Sequence, residues 1–202
     1  MKTEEKYSAG IMAQAFWLIE FKKVVQLIDA GKTRDEIKRM SVDENLFGAP
    51  NPYRTGRMFG YLYNRASAMD EELRKLFLSS DIETQKVVNL ICVLSQDRLF
   101  YEFVYEVYRE KAYLGIETLT VGDINIFFHE KSLQDEGLAN WTDPTVKRVN
   151  ADYRKFLAEV GMLRPLSKNE YAISPLLLDY ELEQYLTRTG KTAILKALTG
   201  VM

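Results

Sequence analysis

The sequence predicts a mainly α protein, a helical bundle over residues 1–136 followed by a winged-helix-like unit over 137–202 that carries a short β-hairpin. Three observations lead there. Apolar residues recur at three- and four-residue spacing almost throughout, and β-branched alternation is nearly absent. Late in the chain, one amphipathic helix runs directly into two short extended pieces around a polar turn. The 202 residues, 47% of them hydrophobic, can bury a core without covalent staples.

The spacing places helices at about 8–30, 33–40, 53–68, 69–79, 82–96, 98–113, 121–135, 144–160 and 175–188, with a shorter one near 191–199. The first, "AGIMAQAFWLIEFKKVVQLI", is apolar over much of its circumference. So is the pair "TQKVVNLICVLSQ" and "RLFYEFVYEVYREK", which marks these helices for the buried centre of the bundle. Thr33 with Glu36, and Asp81 before "IETQKVV", supply side-chain acceptors for the first free N–H groups of their helices. Gly31 and Gly161 stand where helices stop. In "LQDEGLANWTDP", Gly137, Asn140 and Pro144 interrupt the periodicity, which sets the expected junction near residue 136.

Composition excludes several function classes. A net charge of −2 rules out coating nucleic acid through bulk positive charge, while leaving room for a local basic patch. The single Cys92 sits in the apolar run "VVNLICVLSQ", so no disulfide can form within the chain and a buried structural thiol is expected. The charged opening "MKTEEKYSAG" does not read as a secretory signal, and uncharged runs fall short of the roughly 18 residues a bilayer needs, so a cytoplasmic protein is expected. There is no glycine-rich phosphate cradle, no Cys/His cluster for a metal, and only His129 as a histidine base. No cofactor, no small-molecule substrate and no catalysis are expected.

The most informative stretch is "NWTDPTVKRVNADYRKFLAEVGML". At 3.6 residues per turn, Val146, Val149, Tyr153, Phe156, Leu157 and Val160 fall on one side, and Lys147, Arg148, Asn150 and Arg154 on the other. Between Pro144 and Lys168 six Lys/Arg stand against Asp152 and Glu159. Helix, glycine, short strand, polar turn "SKNE" and short strand is the chain order of a winged helix, in which the helix can enter the major groove and the wing, with Lys168, can touch phosphates. A solvated basic face, or a winged unit used for protein contacts, fits the same residues.

A second basic face lies in "NLFGAPNPYRTGRMFGYLYNRASAM", where Arg54, Arg57, Tyr61 and Arg65 align along one helix. Forked guanidinium donors suit phosphate contact, although pairing with Asp70, Glu71 or Glu72 is the competing expectation.

Taken together, "DENLFGAPNPYRTGRMFGYLYNRA", "SQDRLFYEFVYEVYREK" and the stretch ending in "EVGML" resemble the BrxA family, a small component of bacterial BREX phage-defence systems. The resemblance runs from "YSAGIMAQAFWLIE" to "YAISPLLLDYELEQYL". It implies a helical protein similar in fold to the transcription antitermination factor NusB, with helix-turn-helix-like elements, no enzymatic activity, and binding to double-stranded DNA. Partners are then double-stranded DNA and other phage-defence proteins. The alternatives are a protein scaffold that docks through "FYEFVYEVYREKAYLG", and an RNA-binding module by analogy with the NusB-like fold.

Overall fold

The computed structural model describes residues 6–201 and is mainly α, with one three-stranded antiparallel sheet. The chain forms two compact units. Phe16–Gln96 is one; the other joins the described residues up to Ala15 to those from Asp97 onward.

The Phe16–Gln96 unit holds α1 (Leu18–Asp29), α2 (Arg34–Asp43), α3 (Pro52–Ser67), α4 (Glu71–Ser79) and α5 (Ile82–Leu94). Their starts are written locally. Thr33 and Glu36 form a reciprocal capping box, while Asn51, Asp70 and Asp81 accept from backbone N–H groups three residues on. Phe21, Leu62, Phe77 and Val88 are fully buried, with Phe21 and Phe77 edge to face at 5.2 Å. Cys92 is a buried free thiol on α5, as expected.

The expected helix over 8–30 is broken. Gly10–Ala13 is a single 3-10 turn, Gln14 is extended, and Trp17 adopts the left-handed conformation at φ 49° before α1 starts. Two donors hold the break on its α1 side: Asn89 Nδ2 and Arg65 Nη1 donate to the Phe16 carbonyl at 2.8 and 2.9 Å. Apolar residues all round a segment signal burial but not the path of the backbone.

The other unit contains α6 (Arg98–Phe103), a π-helical turn (Val104–Tyr108) and α7 (Arg109–Tyr113), which run on as one helix. There follow β1 (Thr118–Thr120), α8 (Val121–Ser132), α9 (Glu136–Ala139), α10 (Asp143–Glu159), β2 (Leu163–Pro165), β3 (Glu170–Ile173), α11 (Tyr180–Arg188) and α12 (Thr192–Thr199). The β2–β3 pair is the expected hairpin. β1 was not expected, and it pairs on the far edge of β3, giving the order β1-β3-β2 with Leu119 opposite Tyr171 and Arg164 opposite Ala172. The helix expected from 175 begins only at Tyr180, where the Asp179 carboxylate accepts from two backbone N–H groups.

The chain does not part near residue 136. β1 is hydrogen-bonded to β3, and the rings of Phe100, Phe103 and Phe128 gather around Tyr153 of α10 at 4.2, 5.7 and 6.0 Å, so residues on both sides of that point share one core. A buried polar cluster ties in the N-terminal segment. Glu102 accepts from Tyr7 Oη, Arg98 Nε and Lys131 Nζ, each at 2.7 Å. Burial alone pushes the Glu102 carboxyl up, but hydrogen bonds from Lys131, Tyr7 and Arg98 outweigh it and hold the carboxyl below its ordinary range. Among the described residues no helix is long and apolar enough to cross a membrane.

Candidate nucleic-acid interface

Helix α10 is set by its two ends. Thr142 caps the start with Pro144 in the first turn, where a missing N–H costs nothing. At the far end Gly161 turns left-handed at φ 79°, and the amides of Gly161 and Met162 donate to the carbonyls of Ala158 and Leu157. This closure delivers Met162 straight into β2, so the hairpin is held at the C-terminal end of α10. Its turn carries exposed Lys168.

The inner face of α10 buries Val149, Tyr153, Phe156 and Leu157 as the spacing predicts. Lys147, Arg148 and Lys155 are exposed, and Arg154 is half-buried. Each is tied differently. Arg148 Nε donates to Asp152 Oδ2 at 2.9 Å, and Lys155 Nζ lies 3.6 Å from Asp152 Oδ1. The Asp152 side chain is only 5% exposed, so the acid of this surface is turned inward beneath two outward cations. Arg154 lies over the Tyr171 ring of β3 at 5.0 Å, donates to the Tyr171 hydroxyl, and donates through Nε to the Asn150 carbonyl. Lys147, Arg164 and Lys168 form no ion pair among the described residues. Lys155, two turns beyond Arg148 on the same helix face, completes the surface without being singled out by the sequence reading, whereas Arg164 pairs opposite Ala172 and so lies on the other face of the hairpin from Tyr171.

Two expected contacts are overturned. Asn150 is 2% exposed and donates to Asn125 Oδ1 of α8 at 3.3 Å, so it belongs to the helix–helix seam and cannot read a base edge as it stands. Arg65 is fully buried. It donates to the Phe16 carbonyl and to Asn89 Oδ1, and lies over the Trp17 ring at 5.8 Å. Burial lowers its pKa to about 10, which still leaves it charged at neutral pH. The stripe along α3 is therefore a surface feature only at its first half. Arg54 and Arg57 are exposed and form no ion pair among the described residues, and Glu71 pairs instead with Lys75 at 2.6 Å.

Beside the N-terminal end of α10 an open cleft of about 370 Å³ is lined by His129, Ser132, Trp141, Asp143 and Lys147. The Ser132 hydroxyl donates to the His129 carbonyl at 2.7 Å rather than to the ring. Beneath the other side of the helix, the Asp97 carboxyl accepts from the Phe100 N–H and from the Tyr153 hydroxyl at 3.0 and 3.4 Å. Asp97 as a residue reaches solvent, but its carboxyl is enclosed, and burial pushes it up to about 6.

Residues 5–190 match the model of the BrxA family. A protein of Bacillus cereus (strain H3081.97) described as BREX protein BrxA is 30% identical over 200 residues, covering 99% of this chain and 100% of its own. Among solved structures, an uncharacterized protein from Magnetospirillum magneticum superposes with a TM-score of 0.83 over 97% of this chain and 100% of its own, at 17% identity. That likeness concerns the fold alone.

Proposed function

The chain belongs to the BrxA family, and on that premise we propose that it is a non-catalytic, cytoplasmic accessory protein of a bacterial BREX phage-defence system that binds double-stranded DNA. The observation that carries the proposal is the basic surface formed by α10 and the hairpin after it. Lys147, Arg148, Arg154 and Lys155 lie on α10, Lys168 on the hairpin turn, and Asp152 is buried beneath Arg148 and Lys155. Glu159 is the acid that shares the exposed side of the helix end.

The order β1, α8, α10, β2, β3 with sheet order β1-β3-β2 supports a winged-helix reading, and a NusB-like arrangement of helices is what the family resemblance implies. In that reading α10 enters the major groove, and Lys168 on the hairpin turn meets the backbone. With Asn150 buried, phosphate contact is the main role of this surface, and Lys147 or Arg154 is left to reach a base edge. Arg54 and Arg57 form a separate candidate phosphate face on the other unit.

The test is fluorescence anisotropy of the full chain with labelled duplex DNA across a salt titration, with single-stranded DNA and RNA as competitors. Four to six phosphate contacts give a log–log salt slope of roughly −4 to −5 and a duplex preference. Absence of binding at low salt, or displacement by RNA before duplex, would overturn the proposal.

A further inference from the structure

On the same unit, an open groove of about 410 Å³ lies between α7 and α8, and its character is opposite to that of α10. Its floor is apolar: Val107, Leu114, Ile116, Ile126 and Phe127 line it, with Leu114, Ile116 and Ile126 exposed to 62%, 42% and 59%. Side chains of this kind rarely cluster in water without a partner. The rim is acidic, formed by Glu106, Glu110, Asp123 and Glu130. Two of these acids are satisfied within the chain, since Lys131 Nζ meets Glu106 at 2.7 Å and Lys111 Nζ meets Asp123 at 3.0 Å. Glu110 on the α7 edge and Glu130 on the α8 edge form no ion pair among the described residues.

Each wall is a helix stripe. Val107, Glu110, Lys111 and Leu114 follow i, i+3, i+4, i+7, and Asp123, Ile126, Phe127 and Glu130 repeat that spacing on α8. Two such stripes side by side, joined across by the Lys111–Asp123 pair, with an apolar floor and Glu106, Glu110 and Glu130 at the edges, match an amphipathic helix with a large apolar stripe flanked by Lys or Arg. We infer that this groove is a docking site for a basic amphipathic helix of a partner protein. Charge selects that occupant. Nucleic acid is repelled by the rim, and α10 of a second copy presents the small Ala151 and Ala158 between its outward cations, with Pro144 and Val146 near its start, no continuous large apolar stripe that would fill the floor.

The inference does not rest on DNA binding by α10, and its test reads the two apart. The probe is a fluorescent helical peptide of leucine and lysine with leucine at i, i+3, i+4 and i+7, titrated into the full chain; a leucine–glutamate peptide of the same pattern is the control. Binding of the lysine peptide, absent for the glutamate peptide and unchanged in the Lys147→Ala variant that weakens duplex binding, is expected. Glu110→Lys with Glu130→Lys, and separately Ile126→Asp, should each weaken it by about tenfold or more. All three substituted positions are exposed, and circular dichroism of each variant checks that it is folded. Hydrogen exchange in the complex should slow at 107–130. Equal binding of both peptides, unchanged affinity in the folded variants, or protection elsewhere would overturn the inference.

Discussion

The Arg154 guanidinium lies 5.0 Å from the centre of the Tyr171 ring and donates to that ring's hydroxyl, so one side chain of α10 is aimed by a residue of β3. A cation fixed by a stacked ring and a hydrogen bond loses less side-chain entropy on meeting a phosphate than a free one does. Tyr171→Phe keeps the ring and removes the acceptor. Duplex affinity should fall about threefold to tenfold, in line with a net hydrogen bond of about 1 kcal/mol, with the salt slope unchanged. Arg154→Ala should instead flatten the slope by about one. If both variants change the slope equally, Tyr171 does not act by aiming Arg154.

Asp152 gives a prediction of opposite sign. Its carboxylate holds Arg148 and Lys155 from below, and Asp152→Asn removes the charge while keeping a hydrogen-bonding side chain of the same size. Both cations are then released toward a phosphate backbone. The expected outcome is tighter duplex binding at low salt and a steeper salt slope; weaker binding in a folded variant would mean the pair positions these side chains rather than restraining them.

Among single substitutions at exposed cations, Lys147→Ala should weaken binding on all duplex sequences and flatten the slope by about one. Asn150→Ala should leave the slope alone, because the side chain lies in the α8–α10 seam. Anisotropy titrations of the two variants side by side decide between a groove surface and a solvated face.

Arg65 is expected to matter for stability. Arg65→Ala removes a donor from the Phe16 carbonyl and opens a void under Trp17, with a cost on the order of 3 kcal/mol. Arg54→Ala and Arg57→Ala should stay within about 0.5 kcal/mol. Urea unfolding measures all three, and a near-neutral Arg65→Ala would contradict the buried role.

The Asp97 carboxyl is pushed up to about 6 by burial, against the pull of hydrogen bonds from the Phe100 amide and the Tyr153 hydroxyl. Its folded pKa thus exceeds the ordinary value of 3.8, and the folded state binds more protons between them. Stability from this group is present below about 4 and is lost as pH rises through about 6. Asp97→Asn retains a helix cap and removes the titration. The unfolding free energy from urea titrations between pH 4 and 7.5 should fall in the parent relative to the variant, by a few kcal/mol at about 1.4 kcal/mol per pKa unit. Parallel curves would exclude the effect.

What was legible in the sequence is what is local. Caps at Thr33 and Asp81, the stop at Gly161, the inner face of α10 and the hairpin after it are each decided within a few residues of chain. β1 is three residues long and gains its identity from β3, so "TLT" carries no signal of its own. Arg65 and Asn150 are buried where the spacing predicts exposure, for a related reason. Spacing says which residues share a helix face, but Phe16, Asn89 and Asn125 decide which part of that face is covered.

The unit built from both ends of the chain has a consequence for synthesis. Tyr7 emerges from the ribosome early, yet its partners Glu102 and Arg98 follow only after Phe16–Gln96 has been made. At about 5–20 residues per second the inner unit has several seconds to fold alone while the leading segment waits without a core to join. Closure then comes last, when β3 reaches β1 and Leu198 reaches Leu176. A chain cut short before β3 leaves β1 unpaired, one cut before Arg98 also leaves the opening segment without its partners, and such unfinished chains are the species a chaperone would meet.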